Sequence, residues 1–305
     1  MSVKTVKVNL NGQDYNLAYN STSGKWEATI TAPSTTSWNQ PSNKYGLTVM
    51  ATDDAGNVTT KDRSDSTLGN ILQLRVLEKV KPTVIFISPS SGARVTSASP
   101  NIQFQLRDSE SGIKISTLKL RVDGGTVITN VSSGMTCTSV SGGYNCSYIP
   151  SSVLGDGAHT VTVQAEDNDG NISDVASVTF NVDTVPPQLN ITSPDNNLVT
   201  NNKTLTISGT TNDITSSPVI ITIKNNIIDQ GAVTVQPDGG FTKTITLSEG
   251  VNSLEIKAVD SAGLTSVVTR SITLDTTAPT ISAVTVTPNP VDSGKTFIIT
   301  VTVSD

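Results

Sequence analysis

The chain has 305 residues, 35% of them hydrophobic and 15% charged, with a formal net charge of -6 and two cysteines. That length points to roughly two or three separate cores, and the negative balance leaves no basic face to collect phosphates, which argues against nucleic acid and anionic membrane surfaces as partners. No stretch approaches the roughly 18 apolar residues of a membrane span, and MSVKTVKVNLNG lacks the apolar centre of a signal peptide; if Met1 is the native start, neither membrane insertion nor export through a cleaved signal is expected.

Thr, Ser, Asn, Val and Gly dominate the remainder, the composition of half-buried strands joined by polar turns. From the N-terminus, the alternation in KWEATI, residues 25–30, predicts a strand with Trp26 in a core. The loop TTSWNQPSNKY, residues 35–45, carries Trp38 and Tyr45. Trp38 is either a stacking surface for a sugar ring or partner, with Tyr45 beside it, or a loop residue folded back on its own module.

GLTVMATDDAGNVTT, residues 46–60, is an alternating strand ending in Ala, a carboxylate-rich turn with Gly, and a second alternating strand. The pattern returns in HTVTVQAEDNDGNIS, residues 159–173, and in NSLEIKAVDSAGLTS, residues 252–266. Each is read as the hairpin that closes a domain, and each is followed by a proline-marked exit: LEKVKP, VDTVPP and LDTTAP, ending at Pro82, Pro187 and Pro279. Those exits are spaced by roughly 100 residues, the length of an immunoglobulin-like sandwich. No segment sustains a helical period. The expected fold is all-β: tandem immunoglobulin-like, fibronectin III or cadherin-like β-sandwiches in an elongated array, with modules at 1–79, 80–183 and 184–276.

Residues 277–305 hold the alternating run FIITVTV, as the first strands of a fourth module would. So short a piece cannot bury a core unaided. Either the chain is cut there, or these strands complete a sheet on a neighbouring virion or surface subunit.

The stretch PPQLNITSPDNNLVTNNKTLTISGTTND, followed by DGGFTKTITLSEGVNSLEIKAVDSAG, resembles the bacterial immunoglobulin-like module also found appended to glucodextranases. DSESGI, KLRVDGG and YIPSSVLGDGAHTVTVQAEDNDGN resemble related modules of bacterial cell-surface and phage proteins. KWEATITAP and GLTVMATDDAGN are similar to modules in tail-associated proteins of phages and prophages of Gram-positive hosts, and the succession of modules looks most like those proteins as a group. The resemblance implies a non-enzymatic, virion-associated or surface-displayed spacer with weak adhesion to host-surface glycans. A bacterial cell-surface adhesin or stalk, and an accessory module of a carbohydrate-active enzyme, are the alternatives.

His159 is the sole histidine, so no nucleophilic triad and no histidine-rich zinc site is expected. The acids sit in solvated turns, not across a shaped cleft, which argues against glycoside hydrolysis; no catalytic residue and no required cofactor is expected. Cys137 and Cys146 flank TSVSGGYN. A two-residue turn at Ser141-Gly142 would set residue 140 opposite 143 and Cys137 opposite Cys146 on a non-hydrogen-bonded pair, where α-carbons come closest. A cross-strand disulfide is expected once the protein leaves a reducing compartment; a three-residue turn would shift the register and leave a reduced pair.

In such a module the turn after the Ala-ending strand lies at the end where the chain enters. Asp167 and Asp169 would then approach the linker that contains Glu78, and the loop with Asp108 and Glu110 would reach the same end. Calcium takes six to eight oxygens, and these segments could supply them. Asp183, Asp213 and Asp260 would be the equivalent set further on. Against a metal stand Lys79 and Lys81 in the linker and the ordinary preference of Asp and Gly for turns.

Overall fold

The computed structural model describes residues 2–213 and 216–305, and within them the regular elements are strands and one 3-10 turn, Pro41–Asn43. Among the described residues no helix is long and apolar enough to cross a membrane. The chain divides into two compact units, Met1–Val182 and Asp183–Asp305.

The first unit opens with β1 (Val3–Leu10), β2 (Gln13–Asn20), β3 (Lys25–Glu27), β4 (Tyr45–Asp53), β5 (Val58–Lys61) and β6 (Gln73–Leu74). These strands form one sheet in the order β3-β2-β1-β4-β5, with β6 against the start of β4. Only Val6, Leu10 and Tyr45 are fully buried hydrophobics here among the described residues. A concavity of about 490 Å³ lined by Val8, Leu17, Trp26, Ile30, Leu47 and Leu74 lies on the apolar face. Trp26, expected in a core, is half-buried at this concavity, and its ring meets Tyr19 edge-on at 5.7 Å. The alternation in KWEATI was the right signal for a strand, but it does not say whether a second sheet covers the apolar side.

The rest of this unit is a two-sheet sandwich. Its strands are β7 (Thr83–Ser88), β8 (Arg94–Val95), β9 (Ile102–Arg107), β10 (Ile113–Val122), β11 (Met135–Val140), β12 (Gly143–Tyr148), β13 (Gly157–Asp167) and β14 (Ala176–Val182). One sheet runs β10-β13-β14-β8, the other β11-β12-β9-β7. Alternate residues point inward: Ile102, Phe104 and Leu106 of β9 pack with Leu118 and Leu120 of β10, Val161 and Val163 of β13, and Phe180 of β14. Each such side chain contributes roughly 1.5–3 kcal/mol by leaving water.

In the β11–β12 hairpin Val140 faces Gly143 and Cys137 faces Cys146, the register a two-residue turn requires, and the two sulfurs are bonded. The α-carbons are 4.1 Å apart, the close approach of a non-hydrogen-bonded pair.

In the second unit β15 (Gln188–Ser193), β16 (Leu198–Thr200), β17 (Thr204–Asn212), β18 (Ile220–Asn225), β19 (Ile228–Asp229), β20 (Gly240–Thr246), β21 (Gly250–Val259) and β22 (Thr265–Leu274) form another sandwich. Its sheets run β15-β17-β20 and β16-β22-β21-β18-β19 around a core that includes Ile207, Ile223, Leu254, Ile256 and Ile272. In both sandwiches a short early strand pairs in parallel with the last one: β8 with β14, and β16 with β22. The hairpin of β23 (Thr280–Thr287) and β24 (Ile298–Ser304) pairs only with itself among the described residues, and every residue in it is exposed.

The three closing hairpins take the arrangement that the repeated turns predict. β4 pairs antiparallel with β5, β13 with β14 and β21 with β22. The carboxylate turns therefore sit at equivalent ends of their strands.

Candidate functional site

Glu78, Asp108 and Asp167 come from the linker before β7, the loop after β9 and the end of β13, and one oxygen of each lies within 4.8 Å of the others. All three are buried. Burying charge in this way needs compensation by hydrogen bonds, protons or a cation. Here hydrogen bonds fill the positions. Asp167 Oδ1 accepts the N–H of Asp169 at 2.9 Å and of Asn171 at 2.8 Å, while Oδ2 accepts Asn171 Nδ2 at 2.7 Å. Glu78 Oε1 accepts Asn171 Nδ2 at 2.9 Å and Ser111 Oγ at 3.1 Å, and Oε2 accepts the N–H of Val80. Asp108 Oδ1 accepts the N–H of Gly112 at 2.7 Å and of Glu110 at 3.1 Å.

Burial and the hydrogen bond that its protonated form donates to Asp167 push the Glu78 carboxyl up to about 7. Burial raises the Asp167 carboxyl as well, but its bonds to Glu78 and Asn171 outweigh that and leave it below the usual range. Of the two acids, Glu78 is the one that holds a proton more readily.

Asp169 and Glu110 stand outside this group. Asp169 Oδ2 accepts the Thr36 hydroxyl and the Glu78 N–H at 3.2 Å, and Oδ1 lies 3.8 Å from Arg75. The main-chain carbonyl of Glu110 accepts Asn39 Nδ2 at 3.1 Å. The four-acid set Asp108, Glu110, Asp167 and Asp169 is thus split: two carboxylates join Glu78, and the turn at Asp169 clasps the loop of the first module. The linker lysines are directed away, with Lys79 exposed and Lys81 bonded to Asp174 at 2.6 Å.

Trp38 is half-buried and borders a cleft of about 320 Å³ together with Asn39, Glu110, Tyr144 and Asn168. Tyr45 does not join it. The Tyr45 ring is 3% exposed, and its hydroxyl bonds Thr35 at 2.7 Å, so its face is spent inside the module rather than offered to a ligand.

The second group is Asp183, Asp213 and Asp260, again with one oxygen each within 4.8 Å of the others. It repeats the plan of the first: the segment leading into a sandwich, a loop after an early strand, and the carboxylate turn of the closing hairpin. His159, elsewhere, bonds Asp123 through Nδ1 at 2.7 Å and the Gly155 carbonyl through Nε2 at 2.7 Å. Burial disfavours its charge, but those two acceptors outweigh burial and raise the imidazole above 6.5.

Asn171, Ser111 and Thr36 escaped the reading of the sequence. Asn171 was visible as the last residue of AEDNDGN, but its use as a bridge between Glu78 and Asp167 depends on how the linker returns across the turn.

Residues 187–276 match the family described as glucodextranase, domain B; residues 82–163 match a bacterial Ig domain; residues 1–68 match a bacterial Ig-like domain. No curated protein matches the chain. Among solved structures, the fibronectin(III)-like modules of Clostridium thermocellum CbhA are similar at 17% identity and a TM-score of 0.39, over 63% of this chain and 94% of that one. Immunoglobulin domains 1–5 of Sidekick-1 are similar at 12% identity and a TM-score of 0.38, over 99% of this chain and 60% of that one. The N-terminal Ig1-2 module of a Drosophila receptor protein tyrosine phosphatase, DLAR, is similar at 18% identity and a TM-score of 0.25, over 64% and 100%. The chain is built of tandem immunoglobulin-like modules, and no catalytic domain is among the matches.

Proposed function

We propose that the chain is a non-catalytic spacer, the setting being a phage or prophage tail-associated protein whose modules project from the particle and adhere weakly to host-surface carbohydrate. The observation that supports a mechanical role most directly is the clasp between the first two modules. Thr36, Asn39 and Arg75 of the first reach Asp169 and Glu110 of the second, and Glu78 of the linker is buried among Asp167, Ser111 and Asn171. A linker whose only acid is buried and hydrogen-bonded to the second module resists bending more than a solvated one. The cleft beside Trp38 is the place for a weak contact with a sugar ring, and the exposed hairpin β23–β24 offers unpaired strand edges to a neighbouring subunit.

A second reading, an accessory module of a carbohydrate-active enzyme, is favoured by the match of residues 187–276 to glucodextranase, domain B. Glycan-array and whole-cell binding of the purified chain and of its Trp38→Ala variant test the adhesive part: weak binding that the variant loses is expected, and no binding by the wild type would reduce the role to that of a spacer. Neighbouring genes separate the settings. Tail, baseplate or lysis genes accompany the first, and a catalytic domain in the same reading frame accompanies the second.

A further inference from the structure

Asp183 precedes β15, Asp213 follows β17 and Asp260 follows β21, so three separate stretches of the second unit bring their carboxylates within 4.8 Å. Asp183 is 0% exposed and Asp260 4%. Asp260 Oδ1 accepts the N–H of Ala262 at 2.8 Å and of Leu264 at 2.9 Å, whereas its Oδ2 is buried with no hydrogen-bond partner among the described residues. Ser216 supplies a second buried oxygen of this kind: its Oγ has no partner among the described residues, and the residue is 0% exposed. Ser216 is held between the acids, because its N–H donates to Asp213 Oδ1 at 2.7 Å and its carbonyl accepts the N–H of Ser261 at 3.0 Å.

We propose that Asp183, Asp213 and Asp260, with Ser216 beside them, form a calcium site. Carboxylates gathered this closely out of water repel one another unless protons or a cation intervene, and buried charge without compensation is costly. At the Glu78 cluster Asn171, Ser111 and the N–H of Val80 provide that compensation. At Asp260 one oxygen has no donor among the described residues. A set of oxygen donors selects a hard cation, and calcium accepts irregular geometry completed by carbonyls and water where magnesium demands a near-octahedral cage. The ion would tie the segment leading into β15 to the loop after β17 and to the closing turn after β21. This inference goes beyond the spacer reading and does not rest on it.

The test is calorimetric titration of the chelator-stripped full chain with calcium chloride to about 1 mM, the range in which extracellular modules bind, for wild type and Asp260→Asn. The asparagine keeps the Oδ1 acceptor for Ala262 and Leu264, so equal circular dichroism in chelator is expected. Binding by the wild type, weakened at least about tenfold in the variant, supports the site. No binding by the wild type, or full stoichiometry with unchanged affinity in Asp260→Asn, overturns it. Should the variant misfold, hydrogen exchange on the wild type decides: calcium slows exchange at the amides of Ser216, Ala262 and Leu264 if the site exists, and unchanged rates overturn it.

Discussion

Glu78 and Asp167 are 89 residues apart in sequence, yet one carboxylate oxygen of each lies within 4.8 Å of the other and the two are bridged by the side-chain amide of Asn171. The two acids tie the linker to the end of β13, and their opposite shifts make that attachment dependent on pH.

Glu78 is raised from 4.5 to about 7 on folding, so the folded chain holds its proton more tightly than the unfolded chain. Its contribution is fully present below pH 4.5 and is lost as pH rises through about 7. Asp167 works the other way, contributing above 3.8 and losing that contribution as pH falls through its depressed folded value. Unfolding of the first unit should therefore be most difficult in mildly acidic solution. From pH 5 to 8 a loss on the order of 2 kcal/mol is expected, and Glu78→Gln, which imitates the protonated acid, should flatten the curve. Calorimetric melting of both proteins across that range checks it, and an equal pH slope in the two would show that Glu78 is not raised on folding.

His159 adds a second, separable dependence. Its folded value lies above 6.5 because Asp123 and the Gly155 carbonyl hold the imidazolium against the effect of burial. That stabilisation is complete below pH 6.5 and disappears as pH rises through the folded value. Asp123→Asn should lower the midpoint seen for the ring by NMR; an unmoved midpoint would mean that the carboxylate does not hold the charge.

Gly143 has φ +151, and a Cβ there would meet the Leu106 carbonyl at 1.9 Å. Gly143→Ala should therefore prise β12 from β9 and cost more than the roughly 1 kcal/mol of an average substitution, read as a lowered urea midpoint. A change of a few tenths of a kcal/mol would show that the strand yields easily.

The disulfide closes a short loop, its cysteines being nine residues apart. Replacing both by alanine should cost about 2–3 kcal/mol by the loop-entropy relation and should lower the melting temperature of the wild type under reducing conditions to match. Identical melting with and without reductant would mean that the β11–β12 register holds without the bond.

Where sequence order and spatial order coincide, the sequence was informative. The recurrence of ATDDAGN, AEDNDGN and AVDSAGL located three closing hairpins, and the eight residues between the cysteines located their register. What could not be read was what the acids would meet. Asn171 looks like any turn asparagine until Glu78 returns across it, and Asp169 is drawn off by Thr36 from a different module. Tyr45 lies in a polar loop by composition, yet it starts β4, where the sheet buries it. Nor does alternation reveal whether an apolar face is covered, which is why the first module appears as one sheet with an open concavity.

The parallel pairing of β8 with β14 and of β16 with β22 has a mechanical meaning. If the chain is stretched by its ends, β16 is drawn toward its own start while Leu198, Val199 and Thr200 stay bonded alongside Ile272, Thr273 and Leu274 of β22, which is drawn the opposite way. Force of that direction slides the two strands past each other and strains the bridging bonds together, whereas an antiparallel hairpin peeled from its open end parts rung by rung. Each of these two sandwiches therefore carries a shear latch between its second strand and its last.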